Sequence, residues 1–213
     1  MTGKQASRRE NNWLRSPLTI LFLTLVLIVI LVLLGPEEKT LGNGVKLVYL
    51  HGAWVWASLG MLFAGGVCGL VGLTTHRSGL QLWSRTIGHT GLIFWIGYLP
   101  ISLFATQVNW NGLFLEEPRW RLALVFAVGG VLLQVGLWLV GSLALTAAAN
   151  VGYVTLLILS LHSVQNVMHP NSPIFSSVTP IQVYFAVLFL MLLLAVWQVA
   201  RCLHRLENRQ STQ

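Results

Sequence analysis

Apolar residues fall into six long runs separated by short polar breaks, at about Pro17 to Gly35, Leu47 to Leu73, Ile87 to Val108, Leu122 to Val140, Ser142 to Leu161 and Ile181 to Leu203. Each run is close to the roughly 20 residues an α-helix needs to cross a hydrocarbon core about 30 Å thick. The breaks hold nearly all the charge, as they must when a charged side chain near the bilayer centre costs about 2.5 kcal/mol or more. The pattern predicts an all-α membrane protein, a six-helix transmembrane bundle in one domain over residues 1–213. Only Gly141 and Ser142, neither charged, separate the fourth run from the fifth, which makes that boundary the least marked.

Composition agrees with this reading. The chain is 55% hydrophobic and 9% charged, against about 25% charged in ordinary soluble domains. The first run follows a basic segment, as a secretory signal does. It is longer than a typical signal core, and no small-x-small cleavage pattern precedes Pro36 and Glu37, so it is expected to remain as an anchor.

Charge sets the expected orientation. With the amino terminus in the cytoplasm, that side receives Lys4, Arg8, Arg9, Arg15, Arg77, Arg85, Arg201, Arg205 and Arg209 against Glu10 and Glu207. The other side balances Lys39, Lys46, Arg119 and Arg121 against Glu37, Glu38, Glu116 and Glu117. The whole net charge of +7 therefore lies on one face. That is the positive-inside pattern of a multi-pass plasma-membrane protein with both termini cytoplasmic, and not a nucleic-acid surface.

Small residues recur in the second run (Gly60, Gly65, Gly66, Gly69, Gly72) and around the fifth (Gly141, Ala144, Ala147, Ala148, Ala149, Gly152). In lipid, such residues let backbones approach closely, so they predict a tightly packed bundle. Asn150, Gln134 and Ser160 are the main polar residues inside the runs and read as ties between helices. Cys68 and Cys202 read as small packing residues; they make neither a disulfide framework nor a C-x-x-C-H heme attachment site. No carboxylate pair, activated nucleophile, phosphate-binding loop or H-E-x-x-H signature is present, so no enzyme is expected.

Six histidines carry the remaining chemistry. On the expected topology His51, at the start of the second run, and His169, beyond the fifth, both lie at the outer face, with His162 seven residues before His169. His76 and His89 flank an inner loop, and His204 sits in the basic tail, where it reads as a solvated side chain. Two imidazoles from different helices can hold a heme iron without covalent attachment. His51 is embedded in Lys46-Leu-Val-Tyr49-Leu-His51-Gly-Ala-Trp54-Val-Trp56. The loop before the fourth run reads Trp110-Asn-Gly-Leu-Phe114-Leu-Glu116-Glu117-Pro118-Arg119-Trp120-Arg121. Aromatic rings can stack on a porphyrin and arginines can pair with its propionates. The same residues also suit an interfacial aromatic belt with flanking cations.

At these residues the chain resembles the heme-handling membrane proteins of cytochrome c assembly, closest to the CcmC branch, over nearly its whole length. Lys46, Tyr49, His51 and Trp56 fall at the places of that family's first motif, while Gly52, Ala53 and Val55 depart from it. In the tryptophan-rich loop, Trp110 and Arg119 keep the family's separation and Glu117 takes its Asp position, but Leu113, Phe114 and Glu116 replace the inner tryptophans. Asn166, Met168 and His169 echo the last motif without its paired tryptophans.

The resemblance implies binding and hand-over of heme b at the non-cytoplasmic face, without bond-making chemistry. It makes His51 and His169 the axial ligands, Trp110, Trp56 and Trp120 with Phe114 the stacking surfaces, and Arg119 and Arg121 the propionate partners. The lipid bilayer, other cytochrome c assembly subunits and a heme chaperone are the implied partners. Two other readings of the residues stay open: a small b-type cytochrome for electron transfer, with His76 and His89 as its inner candidates, and a structural or transport subunit without heme.

Overall fold

In a computed structural model, residues 16–165, 174 and 177–210 are described. They form six α-helices: α1 Pro17–Leu33, α2 Val45–Thr74, α3 Ser78–Trp110, α4 Pro118–Val140, α5 Leu143–Ser163 and α6 Thr179–Gln210. No β-strand occurs among the described residues; the α1–α2 connection holds a single bridge between Glu38 and Gly42. Five of the helices, α2 to α6, are long and apolar enough to cross a membrane. The 17-residue α1 reaches only about 25 Å at 1.5 Å per residue.

The helix ends lie where local chemistry puts them. Ser16 precedes Pro17 at the start of α1, and Glu117 precedes Pro118 at the start of α4, using proline where its missing N–H costs nothing. Glu117 caps α4 by accepting from the Trp120 backbone N–H at 2.6 Å, and Ser142 caps α5 by accepting from Leu145 N–H at 3.2 Å. The boundary between α4 and α5 is the sharp one the sequence left least marked. Gly141 ends α4 at φ +71°, a left-handed conformation glycine adopts without steric cost, and Ser142 starts the next helix. Two helices outrun their apolar runs: α3 begins nine residues before Ile87, and α6 continues seven residues past Leu203.

At the centre of the bundle α2 packs most extensively on α3 and also on α5 and α6. α1 lies mainly against α6, while α4 lies against α3 and α5 and not against α6. The Tyr184 hydroxyl of α6 donates to the Leu31 carbonyl of α1 at 2.8 Å, so the end of α1 meets the beginning of α6.

The seam between α2, α3 and α5 runs through glycine. A Cβ on Gly65 would sit 3.1 Å from the Gly88 nitrogen, and one on Gly69 would sit 2.7 Å from the Ala147 carbonyl oxygen and 2.8 Å from Ser84 Oγ. Gly66 and Gly72 are similarly enclosed, whereas Gly60 and Gly152 face open space. Of the five recurring glycines singled out in the second run, Gly65, Gly66, Gly69 and Gly72 therefore permit the close backbone approach predicted from their recurrence. Large apolar side chains such as Phe63, Leu132, Trp138 and Leu139 cover the outside, the surface a lipid-facing bundle presents.

The two ends of the bundle differ. One carries the tight α2–α3 and α4–α5 turns together with the end of α6, and is called the turn end below. The other carries the longer α1–α2, α3–α4 and α5–α6 connections and is called the loop end.

Candidate functional site

At the loop end, His51 stands on the second turn of α2, half-buried, its ring centre 5.9 Å from that of Tyr98 on α3. The adjacent Gly52 faces α6 and the α5–α6 connection. A Cβ there would lie 3.4 Å from the Phe185 ring and 3.8 Å from Ile174 Cδ1, and Ile174 is itself buried in the core. His169 lies outside the described residues.

The other sequence candidates divide by placement. Arg119 and Trp120 occupy the first turn of α4, both half-buried, and the Trp120 indole N–H donates to the Leu99 carbonyl of α3 at 3.3 Å. Arg121 is exposed and already engaged, with Nη2 3.2 Å from Glu116 Oε1 and Nε donating to the Leu115 carbonyl. Trp110, the last residue of α3, and Trp56 are each 51% exposed. Five residues after His51, Trp56 points roughly 140° away around α2, at 100° per residue, and does not share the face that His51 turns to α3. Its neighbour Trp54 does face α3, donating to the Phe94 carbonyl at 2.8 Å. Trp95 continues the pattern by donating to the Ala123 carbonyl of α4 at 3.1 Å. Three buried or half-buried indoles thus join α2, α3 and α4 through backbone carbonyls, satisfying N–H groups that lipid could not.

The loop 111–117 carries backbone strain. Asn111 and Phe114 have φ of +53° and +42°, a region that costs a non-glycine residue about 1 kcal/mol or more. Glu117 Oε1, at the end of this loop, and the Tyr49 hydroxyl of α2, whose ring packs on that of Tyr184 of α6, are buried with no hydrogen-bond partner among the described residues.

A second cluster occupies the turn end. Glu207 of α6 has Oε2 3.1 Å from Arg85 Nε and 2.9 Å from Thr86 Oγ, and Oε1 3.2 Å from His89 Nδ1. His89 Nε2 lies 3.1 Å from Gln134 Oε1 of α4, and Gln134 Nε2 donates to Asn150 Oδ1 of α5 at 2.9 Å. Asn150 Nδ2 donates to the Ser84 carbonyl at 2.9 Å, and Ser84 Oγ donates to the Gly65 carbonyl of α2 at 2.7 Å. Five helices are linked by this one chain of polar groups. An open cleft of about 300 Å³ adjoins it, with Arg85, His89, Gln134, Thr146 and Glu207 on its polar side and Leu137 and Trp138 on its apolar side.

Much of this second cluster escapes a reading by runs. Gln134 and Asn150 do tie helices together, as expected. Glu207 and His204, however, belong to a helix that continues beyond its apolar stretch. His204 is not simply solvated: its ring stacks on Trp83 at 3.8 Å between centres, and Trp83 stacks in turn on Trp197 at 5.5 Å. The available signal was the four-residue spacing of Arg85 and His89, which puts both on one helix face. His76 and His162 are exposed at helix ends, and Cys68 and Cys202 are free and half-buried. No group of three or more His, Cys, Asp or Glu side chains suited to a metal ion occurs among the described residues.

Comparison with protein-family models, with curated proteins and with solved structures finds no match to this chain.

Proposed function

We propose that the chain crosses the plasma membrane six times with both termini cytoplasmic, binds heme b non-covalently at its outer, loop end, and hands it on during cytochrome c assembly. On this reading His51 and His169 would hold the heme iron through their imidazoles. The observation that carries it is the packing of Ile174 beside Gly52, which brings the α5–α6 connection to the residue next to His51. His169 is five residues before Ile174, and a reach of at most about 18 Å of extended chain permits the two imidazoles to serve one porphyrin.

The described residues fit such a group. His51 is half-buried beside an aromatic ring, so its imidazole is positioned without being sealed in the core. Arg119, half-buried in the first turn of α4, offers a guanidinium suited to a carboxylate of an amphiphile whose body lies in lipid. When bound, heme supplies an iron that accepts two imidazoles. The protein's own work is to hold these groups at the membrane surface and, with few contacts, to let go. Trp110, Trp120 and Phe114 remain the candidate stacking surfaces, and the departures from the family's tryptophan loop point to a different acceptor, an assembly subunit or a chaperone.

This reading accounts for the inner histidines better than a b-type cytochrome does. His89 has both ring nitrogens within hydrogen-bond distance of protein oxygens, and His76 stands on an exposed turn. The second reading, a membrane subunit without cofactor, is favoured by the concentration of polar groups around His89 at the turn end. Heme titration of the purified protein separates the two: uptake with a six-coordinate low-spin spectrum supports the first, and no uptake leaves the second.

A further inference from the structure

The polar chain at the turn end has a direction, fixed at one end by groups with only one possible role. The Ser84 carbonyl can only accept. The single Ser84 hydroxyl proton goes to the Gly65 carbonyl, so Ser84 Oγ also accepts from its other side. Asn150 lies 2.9 Å from the first of these atoms and 3.2 Å from the second, so the atom facing them is its NH₂ group. Asn150 Oδ1 is thereby turned to Gln134, which must offer its own NH₂ group at 2.9 Å. Gln134 Oε1 is then left facing His89 Nε2 at 3.1 Å, and that contact requires a hydrogen on Nε2.

The other imidazole nitrogen faces a carboxylate oxygen, Glu207 Oε1, at 3.2 Å. That contact needs a hydrogen too. Glu207 Oε2 lies 3.1 Å from Arg85 Nε, which favours the ionised carboxylate and puts the hydrogen on Nδ1. We infer that the His89–Glu207 pair is a proton-binding site, in which an imidazolium is held between the Glu207 carboxylate and the oriented amide chain Gln134–Asn150–Ser84.

Loss of the proton has no remedy within the amide chain. It leaves a lone pair of His89 against Gln134 Oε1 or against Glu207 Oε1. Turning the Gln134 amide sets two oxygens against each other at Asn150, and turning Asn150 as well sets its oxygen against the Ser84 carbonyl. Each relief moves the conflict one helix further, so the bound proton is coupled to the mutual placement of α3, α4, α5 and α6. Among the described residues, the charged and titratable groups in contact with the site come from α3 and α6. They are Arg85 and Glu207, with His204 Nδ1 3.4 Å from the Thr86 hydroxyl that also reaches Glu207. α4 and α5 present the uncharged Gln134, Thr146 and Asn150. An open cleft of about 300 Å³ adjoins the site.

The test is nitrogen-15 spectroscopy of histidine-labelled full-length protein in lipid nanodiscs at neutral pH, with the His89 signals assigned by their loss in His89→Asn. The wild type is expected to show both His89 nitrogens protonated. Gln134→Leu, which fills similar space without imposing an acceptor, is expected to bring up a signal from an unprotonated ring nitrogen. An unprotonated nitrogen in the wild type overturns the site. Equal protonation in wild type and Gln134→Leu overturns the role of the amide chain.

Discussion

Asn150 Nδ2 donates to the backbone carbonyl of Ser84 at 2.9 Å, joining α5 to α3 where Gly88 leaves room for the amide: a Cβ on Gly88 would lie 2.7 Å from that same nitrogen. The pairing shows how this bundle uses its few polar residues. An amide in lipid must find partners among neighbouring helices, and here a glycine on the facing helix makes the approach possible.

Asn150→Ala is expected to lower stability by about 1 kcal/mol, within the range of interhelical hydrogen bonds in membrane bundles. Gln134→Ala should cost a similar amount, and the double variant less than the sum, because the two residues share one bond. Equilibrium unfolding in mixed detergent micelles measures all three; strict additivity would show that the two amides act independently.

Glycine substitutions should separate by what faces them. Gly69→Ala drives a methyl group toward the Ala147 carbonyl and Ser84 Oγ, and is expected to cost about 1–3 kcal/mol as overpacking. Gly60→Ala meets nothing within 4 Å and should be neutral or stabilising by about 0.5–1 kcal/mol, through the lower backbone entropy of alanine in a helix. The same unfolding assay tests the pair.

In the α1–α2 connection, Glu38 accepts from the backbone N–H groups of Thr40 at 2.8 Å and Leu41 at 3.0 Å. These bonds, led by the one to Leu41, hold its carboxyl below the ordinary value of 4.5. A lowered folded-state value means that the turn's stabilisation is complete above the ordinary glutamate range and is lost as pH falls through the lowered value. The protection of the Thr40 and Leu41 amides against hydrogen exchange, taken relative to the intrinsic rate at each pH, should hold on acidification to about the ordinary value and fall only below it. Glu38→Gln should abolish that pH dependence.

The topology makes a labelling prediction. With Cys68 and Cys202 replaced by serine, Lys39→Cys at the loop end should react with a membrane-impermeant thiol reagent on intact cells. Gly79→Cys at the turn end, exposed and with open space around it, should react only after permeabilisation. The reverse pattern would invert the orientation and place the histidine pair on the cytoplasmic side.

Helix number and order were legible because apolar length is a direct consequence of the lipid solvent. The close glycine seam was legible because small residues have few other uses at that density. The Gly141–Ser142 boundary, unmarked by charge, was set by two conformational signals that hydropathy does not register, a left-handed glycine and a serine cap. Glu207 was illegible for a different reason. In a basic tail a carboxylate reads as solvated, and only the continuation of α6 along α3 shows it meeting Arg85, Thr86 and His89. At the loop end, sequence proximity overstated the grouping: Trp56 follows His51 closely but sits on another face, while Tyr98, 47 residues away, presents a ring to His51.

If His51 and His169 together hold one heme iron, the Soret band of the heme-loaded protein depends on both. His51→Ala and His169→Ala should each shift that band away from its six-coordinate position and weaken heme retention by about tenfold or more, a loss of roughly 1.4 kcal/mol. A band unchanged in both variants would contradict the assignment of these two imidazoles.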